Sequence, residues 1–158
     1  MADIAAFPTI RNVLWAGKNI HKFTATTAVT AGQVVAFAAT GVSGAVIPAI
    51  KATSGQPIGV ALYGAAAGKM VTVACNGCIV YVANAESDVD IDSGHVLEDN
   101  DNATAPGCVS MAAVTSTAGG GAVATVKYTV GIAIDKILRS ETGRMLVKCG
   151  RMTAPQTA

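Results

Sequence analysis

Val71-Thr72-Val73-Ala74-Cys75-Asn76-Gly77-Cys78-Ile79-Val80-Tyr81-Val82 is the stretch on which the fold turns. Two β-branched runs flank Asn-Gly, the dipeptide that most readily takes positive φ at both centres of a two-residue hairpin. The spacing therefore predicts a tight hairpin, with Cys75 and Cys78 facing each other as a cross-strand pair. Moving outward, short runs of the same character recur between Gly, Pro, Asn and Ser. Before the turn they are His21–Thr26, Val34–Ala38, Ala45–Ala49, Ile58–Leu62 and Lys69–Ala74. After Ile79–Ala83 come Val96–Glu98, Val109–Ala112, Val123–Tyr128, Val130–Ile134 and Arg144–Cys149. Long helical periodicity is absent, so the pattern predicts an all-β chain folded as a compact β-barrel or sandwich.

The chain also echoes itself. Ala31-Gly32-Gln33-Val34 returns as Ser93-Gly94-His95-Val96, and Ile58-Gly59-Val60-Ala61-Leu62 as Val130-Gly131-Ile132-Ala133-Ile134. Gly68-Lys69-Met70-Val71 is matched by Gly143-Arg144-Met145-Leu146. Two copies do not make a solenoid; they predict a duplicated β-unit packed into one domain. A glycine inside each central strand points to a bulge or a close backbone approach.

Composition narrows the class. The 158 residues are 51% apolar, yet only 4% are aromatic and 13% charged, against roughly 25% charged in ordinary globular chains. Ala, Val and Ile must fill the core, while Thr, Ser, Asn and Gly form much of the surface. Such an exterior suits a protein packed against others. The net charge is +1 and no basic cluster occurs, so no nucleic-acid partner is expected. The uncharged stretch Phe23–Ile50 is broken by Thr, Ser, Gly and Pro, leaving no window of about 20 apolar residues for a spanning helix. No membrane partner is expected, and Met1–Gly17 lacks the basic-then-apolar pattern of a signal peptide.

Three segments are expected: an N-terminal arm over 1–20, a β-domain over 21–150 and a frayed C-terminal tail over 151–158. The arm carries Phe7, Pro8, Ile10, Leu14 and Trp15, the chain's one tryptophan, without a committed period. It either folds back on its own domain or docks on a neighbour. In the second case Phe7, Ile10, Leu14 and Trp15 are the candidate partner-binding residues, with Trp15 the anchor.

Searching for reactive groups yields no catalytic set. Ser93, His95 and Asp92 fall within one tight turn and cannot line up as a relay. Gly119-Gly120-Gly121 lacks the Lys-Ser/Thr of a phosphate loop. Cys75-x-x-Cys78, with Cys108 and Cys149, offers a nominal zinc set; a cross-strand disulfide or plain reduced thiols are the other readings. Asp88-Val89-Asp90-Ile91-Asp92-Ser93-Gly94 approaches a calcium loop, but Ser93 stands where Gly is required and Asp99 where a bidentate Glu is required. A solvated acidic turn is the simpler reading. The expectation is no enzyme, no cofactor and no metal.

In order along the chain stand Gly32-Gln33-Val34-Val35, Ile58-Gly59-Val60-Ala61, Val71-Thr72-Val73, Ser93-Gly94-His95-Val96-Leu97-Glu98, Val130-Gly131-Ile132-Ala133 and Leu146-Val147-Lys148. This succession resembles the phage capsid cement or head-decoration proteins over roughly residues 20–150. The arm around Trp15 matches no motif of that family. The resemblance implies a small β-domain, usually trimeric, on the outer surface of the virion's capsid. Its partners would be the major capsid protein and further copies of itself. Many weak, symmetry-repeated contacts would then clamp neighbouring capsomers. A tail or fibre module of the virion, or a metal- or carbohydrate-binding β-module, is the alternative.

Overall fold

In the computed structural model, residues 6–38, 43–50, 54–85, 89–100, 104–112 and 126–153 are described. Every regular element among them is a strand. β1 (Leu14–Ala16), β2 (Ile20–Thr24), β3 (Val34–Phe37), β4 (Val46–Pro48), β5 (Pro57–Ala61) and β6 (Met70–Ala74) precede the Asn-Gly turn. β7 (Ile79–Ala83), β8 (Val96–Asp99), β9 (Val109–Met111), β10 (Val126–Ala133) and β11 (Thr142–Thr153) follow it. They build two antiparallel sheets in a sandwich-like arrangement, ordered β2-β6-β5-β3-β4 and β1-β7-β11-β10-β8-β9.

The two orders are one order written twice. Moving from β2–β6 to β7–β11 reproduces the first sheet strand for strand, with β1 added outside β7. The hydrogen bonds repeat as well. Gly32 N–H donates to Ala61 O and Gly94 N–H to Ala133 O, each at 2.7 Å. Val29 and Ala65 exchange a pair of backbone bonds, as do Ile91 and Ile137. Even the irregularities match. Ile58 is the extra residue between Val35↔Gly59 and Ala36↔Pro57, and Val130 is the extra residue between Leu97↔Gly131 and Glu98↔Thr129. A bulge of this kind bends the strand and strengthens its twist. Each sheet accordingly curls until its far strands meet: Ala25 bridges Val46 in parallel, and Asn84 bridges Val109. Phe23 on β2 and Phe37 on β3 touch edge-to-face, ring centroids 5.7 Å apart, although two strands separate them in the sheet.

Hydrophobic burial follows the curl. In the first half Val35, Ala61, Val71 and Val73 point inward, joined by Val29 and Val46. In the second half Leu97, Val109, Ala133, Met145 and Ile91 do the same, but their cluster continues across the molecule. It takes in Val34, Ala36, Val60, Leu62 and Ala74 from the outer side of the first sheet. The outer wall of one half thus closes the inner side of the other. Gln33 stitches this seam, its Nε2 donating to Pro106 O of the second half at 2.8 Å while its Oε1 accepts from Thr30 N–H within the first, also at 2.8 Å.

Several expectations need correction. The Asn76-Gly77 turn exists, closed by Cys78 N–H to Cys75 O at 3.2 Å, but it is not a hairpin. Only Gly77 has positive φ (95°), whereas a type I′ turn needs both central residues there. β6 hydrogen-bonds to β2 and β5, and β7 to β1 and β11, so the turn carries the chain from one sheet to the other. Cys75 and Cys78 are therefore not a cross-strand pair.

The third part of the internal echo is out of register by three residues. Leu62 N–H donates to Thr72 O and Ile134 N–H to Arg144 O, which places Arg144 opposite Thr72 in the repeat, not Lys69. Volume decides this: Ala65 beside Val71 in the first half becomes Ile137 beside Gly143 in the second, where a Cβ on Gly143 would lie 2.6 Å from Ile137 Cγ1. The Gly68 position is then filled by Ser140, held at φ 58°. Val123–Tyr128 and Val130–Ile134 are not separate strands. Residues 126–133 run as the single β10 through the Val130 bulge, with 123–125 outside the described residues. Arg151–Thr153 is not a frayed tail but the end of β11, paired with the start of β10. Leu14–Ala16 also joins the body, as β1 on the flank of β7.

Candidate interaction surface

The sequence-level candidates separate into two groups. Phe7 is half-buried against Ala83, Ala85, Ala105 and Cys108. Ile10 is half-buried against the central core, its Cδ1 covering Gly32. Both serve the chain's own packing. Leu14 and Trp15 remain exposed on β1, Trp15 at 57%.

Trp15 is nevertheless held firmly. β1 is fixed to β7 through the Leu14↔Val80 pairing, with Tyr81 N–H donating to Val13 O at 2.9 Å. Tyr81 in turn pairs with Arg144 on β11. Three adjacent strands thus carry Trp15, Tyr81 and Arg144 as a row. The indole meets the Tyr81 ring edge-to-face at 6.4 Å, and the Arg144 guanidinium carbon lies 4.7 Å from the indole centroid. Asp135 completes the row by accepting from Arg144 Nε at 2.9 Å and Nη2 at 2.7 Å. These side-chain bonds hold the Asp135 carboxyl below its ordinary range. A large aromatic surface, rigid and still open to solvent, can anchor a partner without a further loss of rotamer freedom. Sequence reasoning found Trp15 and Leu14 but missed Arg144, which reaches Tyr81 and Trp15 only through the β7–β11 register, and Asp135, which meets Arg144 across the β10–β11 connection.

The reactive-group candidates take ordinary structural places. Asp90 accepts from Arg139 backbone N–H at 3.0 Å, chiefly through which its carboxyl is held low, and it also pairs with Lys136. Asp92 pairs with Lys136 at 3.7 Å. Asp99 is buried, within 3.4 Å of Ser54 Oγ, and Asp88 lies outside the described residues. Ser93 Oγ donates to Ile134 O at 2.7 Å and the His95 ring lies against the Met111 sulfur. The Gly119–Gly121 loop lies outside the described residues.

All four cysteines are free thiols. Cys75 and Cys149 border a shallow groove with Asn19, Gln56, Ile58 and Asn76. Burial, reinforced by Cys75 and Asp99, pushes the Cys149 thiol up to about 12, and burial raises Cys75 as well. Thiols held in this direction are poor nucleophiles at neutral pH. Among the described residues no three of His, Cys, Asp and Glu come together as a metal site.

Apolar surface is the more informative feature. Besides Leu14 and Trp15, the side chains of Phe37, Tyr63, Met70, Val96 and Leu138 are exposed. Phe37 and Val96 lie on the faces of the first and second sheet, and neither was singled out by the sequence.

No family model matches the chain, and no curated protein matches it. The fold has a solved counterpart. The head fiber gp8.5 N base of bacteriophage phi29 is similar in structure at a TM-score of 0.55 and 17% identity. The similarity covers 82% of this chain and 92% of that one. At this level of identity the likeness concerns the fold.

Proposed function

We propose that the chain is a structural protein of a phage virion that binds the outside of the capsid and reinforces contacts between capsomers. In this reading it is not an enzyme, its partners are the major capsid protein and further copies of itself as a homotrimer, and Trp15 with Leu14 anchors it to a neighbour. The observation that carries the reading is the fold shared with a phage head-fibre base. A low-charge exterior with a rigid, exposed tryptophan supports it. The same likeness favours a second reading, in which the chain seats a fibre on the head instead of bridging capsomers.

Co-sedimentation of the purified protein with expanded heads of its own phage tests the reading. Binding is expected, and Trp15→Ala is expected to weaken it about tenfold or more, the loss typical of a truncated aromatic hot spot. Protein that stays in the supernatant at saturating heads sinks the proposal. Electron cryo-microscopy of the decorated heads separates the two readings: density bridging adjacent capsomers belongs to the first, and a projection from a single capsomer to the second.

A further inference from the structure

The duplication supplies its own ruler for surface burial. Since the paired strands of one half have counterparts in the other, a position covered in one half and less covered in the other can be recognised by superposing the repeat on itself.

On the inner side, the second half buries Val82, Val130, Val147 and Asp99. Their counterparts in the first half are Phe23, Ile58 and Cys75, only half-buried, and Phe37, 44% exposed. On the outer side the relation reverses. The first half buries Val34, Val60 and Ala74. The counterparts in the second half are Val96, 37% exposed, with Ile132 and Leu146 half-buried. The Glu98 position, matched by Ala36 in the repeat, is buried in both halves, and Ser110 is buried where its counterpart Ile47 is half-buried. The reason lies in the core: the first half's outer wall sits on the second half's inner side within one chain. Each molecule therefore ends with an incompletely covered inner face in the first half and an incompletely covered outer face in the second, the latter apolar at Val96, Ile132 and Leu146 and edged by Lys148 and Arg151.

We infer that a second copy of this chain docks its second-half outer face, around Val96, Ile132 and Leu146, onto the first-half inner face around Phe23, Phe37 and Ile58. The contact repeats between molecules the packing that joins the halves within one. It is heterologous, so it propagates head to tail and closes into a ring where the rotation allows. Ring closure at three copies gives the trimer of the proposed function. The inference deepens the self-association in that reading but rests on the internal repeat.

Two single substitutions at exposed sites test it. Phe37→Asp places at the inner face the residue that its counterpart, Asp99, already is, and Val96→Lys charges the outer face. Far-UV circular dichroism checks that both fold, and Phe37→Gln with Ile132→Lys provides a second pair. Sedimentation velocity of the wild type is expected to show an oligomer, and each variant alone a monomer. An equal mixture is expected to give a 1:1 dimer, because each variant retains the face the other has lost. A wild type that stays monomeric at every concentration overturns the inference. So does a variant that assembles like the wild type, or a mixture that stays monomeric. Head binding by the wild type is read separately: an oligomeric wild type that does not bind heads sinks the capsid reading alone, and a monomeric wild type that still binds heads sinks only the ring.

Discussion

At the scale of single residues, the chain's charged and sulfur-bearing groups are occupied in holding structure. Cys149 has its thiol pushed up to about 12, mainly by burial. Its alkylation by iodoacetamide at pH 8 is therefore expected to be far slower than that of an exposed thiol and to become fast only on unfolding. Mass spectrometry after timed quenching checks this, and rapid native labelling would contradict the burial. The Asp135–Arg144 pair carries a pH signature with a definite sign. The Asp135 carboxyl is depressed in the folded state by the Arg144 bonds. Its contribution is thus present above the unfolded value of about 3.9 and lost as pH falls through the folded value. Asp135→Asn is expected to destabilise the protein at pH 7 by at most about 1 kcal/mol, since the pair is partly exposed. The difference from the wild type should vanish as urea titrations are taken to progressively lower pH below 4.

At the scale of elements, the bulged central strands set the geometry, and their glycines are the critical residues. A Cβ on Gly59 would overlap Ala74 O well inside van der Waals contact, and one on Gly131 would meet Leu146 O in the same way. Gly59→Ala and Gly131→Ala are each expected to cost about 2–3 kcal/mol, because backbone, not a movable side chain, must give way. Gly77→Ala has open space around it and loses only the freedom that its positive φ requires, about 1 kcal/mol. Urea melts of the three variants give the comparison; equal losses would remove the steric account. The strands themselves were legible in the sequence because β-branched runs between turn residues are a local signal. So were the two glycines and the duplication. The pairing across Asn76-Gly77 was not, since whether a turn ends in a hairpin depends on which neighbours claim the free edges of β6 and β7. The echo of Gly-Lys-Met in Gly-Arg-Met misled for a similar reason: register is set by the Ile137–Gly143 fit, which joins residues whose sizes trade against each other. β1 escaped notice because three residues carry no period.

At the scale of the whole molecule, the two halves are one thermodynamic unit. The central cluster draws on both sheets, and Gln33 Nε2 ties the halves with one further bond, to Pro106 O. Unfolding in urea is expected to be a single transition, with Trp15 fluorescence and far-UV circular dichroism coincident. Two separated transitions would mean that the halves are independent. Of the candidate surface, the sequence exposed the arm's Trp15 and Leu14 through composition alone. The paired faces around Phe37 and Val96 stayed hidden, because both residues look like ordinary strand positions until the repeat is superposed on itself. The covering of one half's outer wall by the other also has an outcome during synthesis. While the ribosome has released only the residues up to the Asn76-Gly77 crossing, Val34, Val60, Leu62 and Ala74 have nothing laid over them. They stay sticky until β10 and β11, the last strands made, come home, and a nascent chain stalled before that moment is the form most in need of a chaperone.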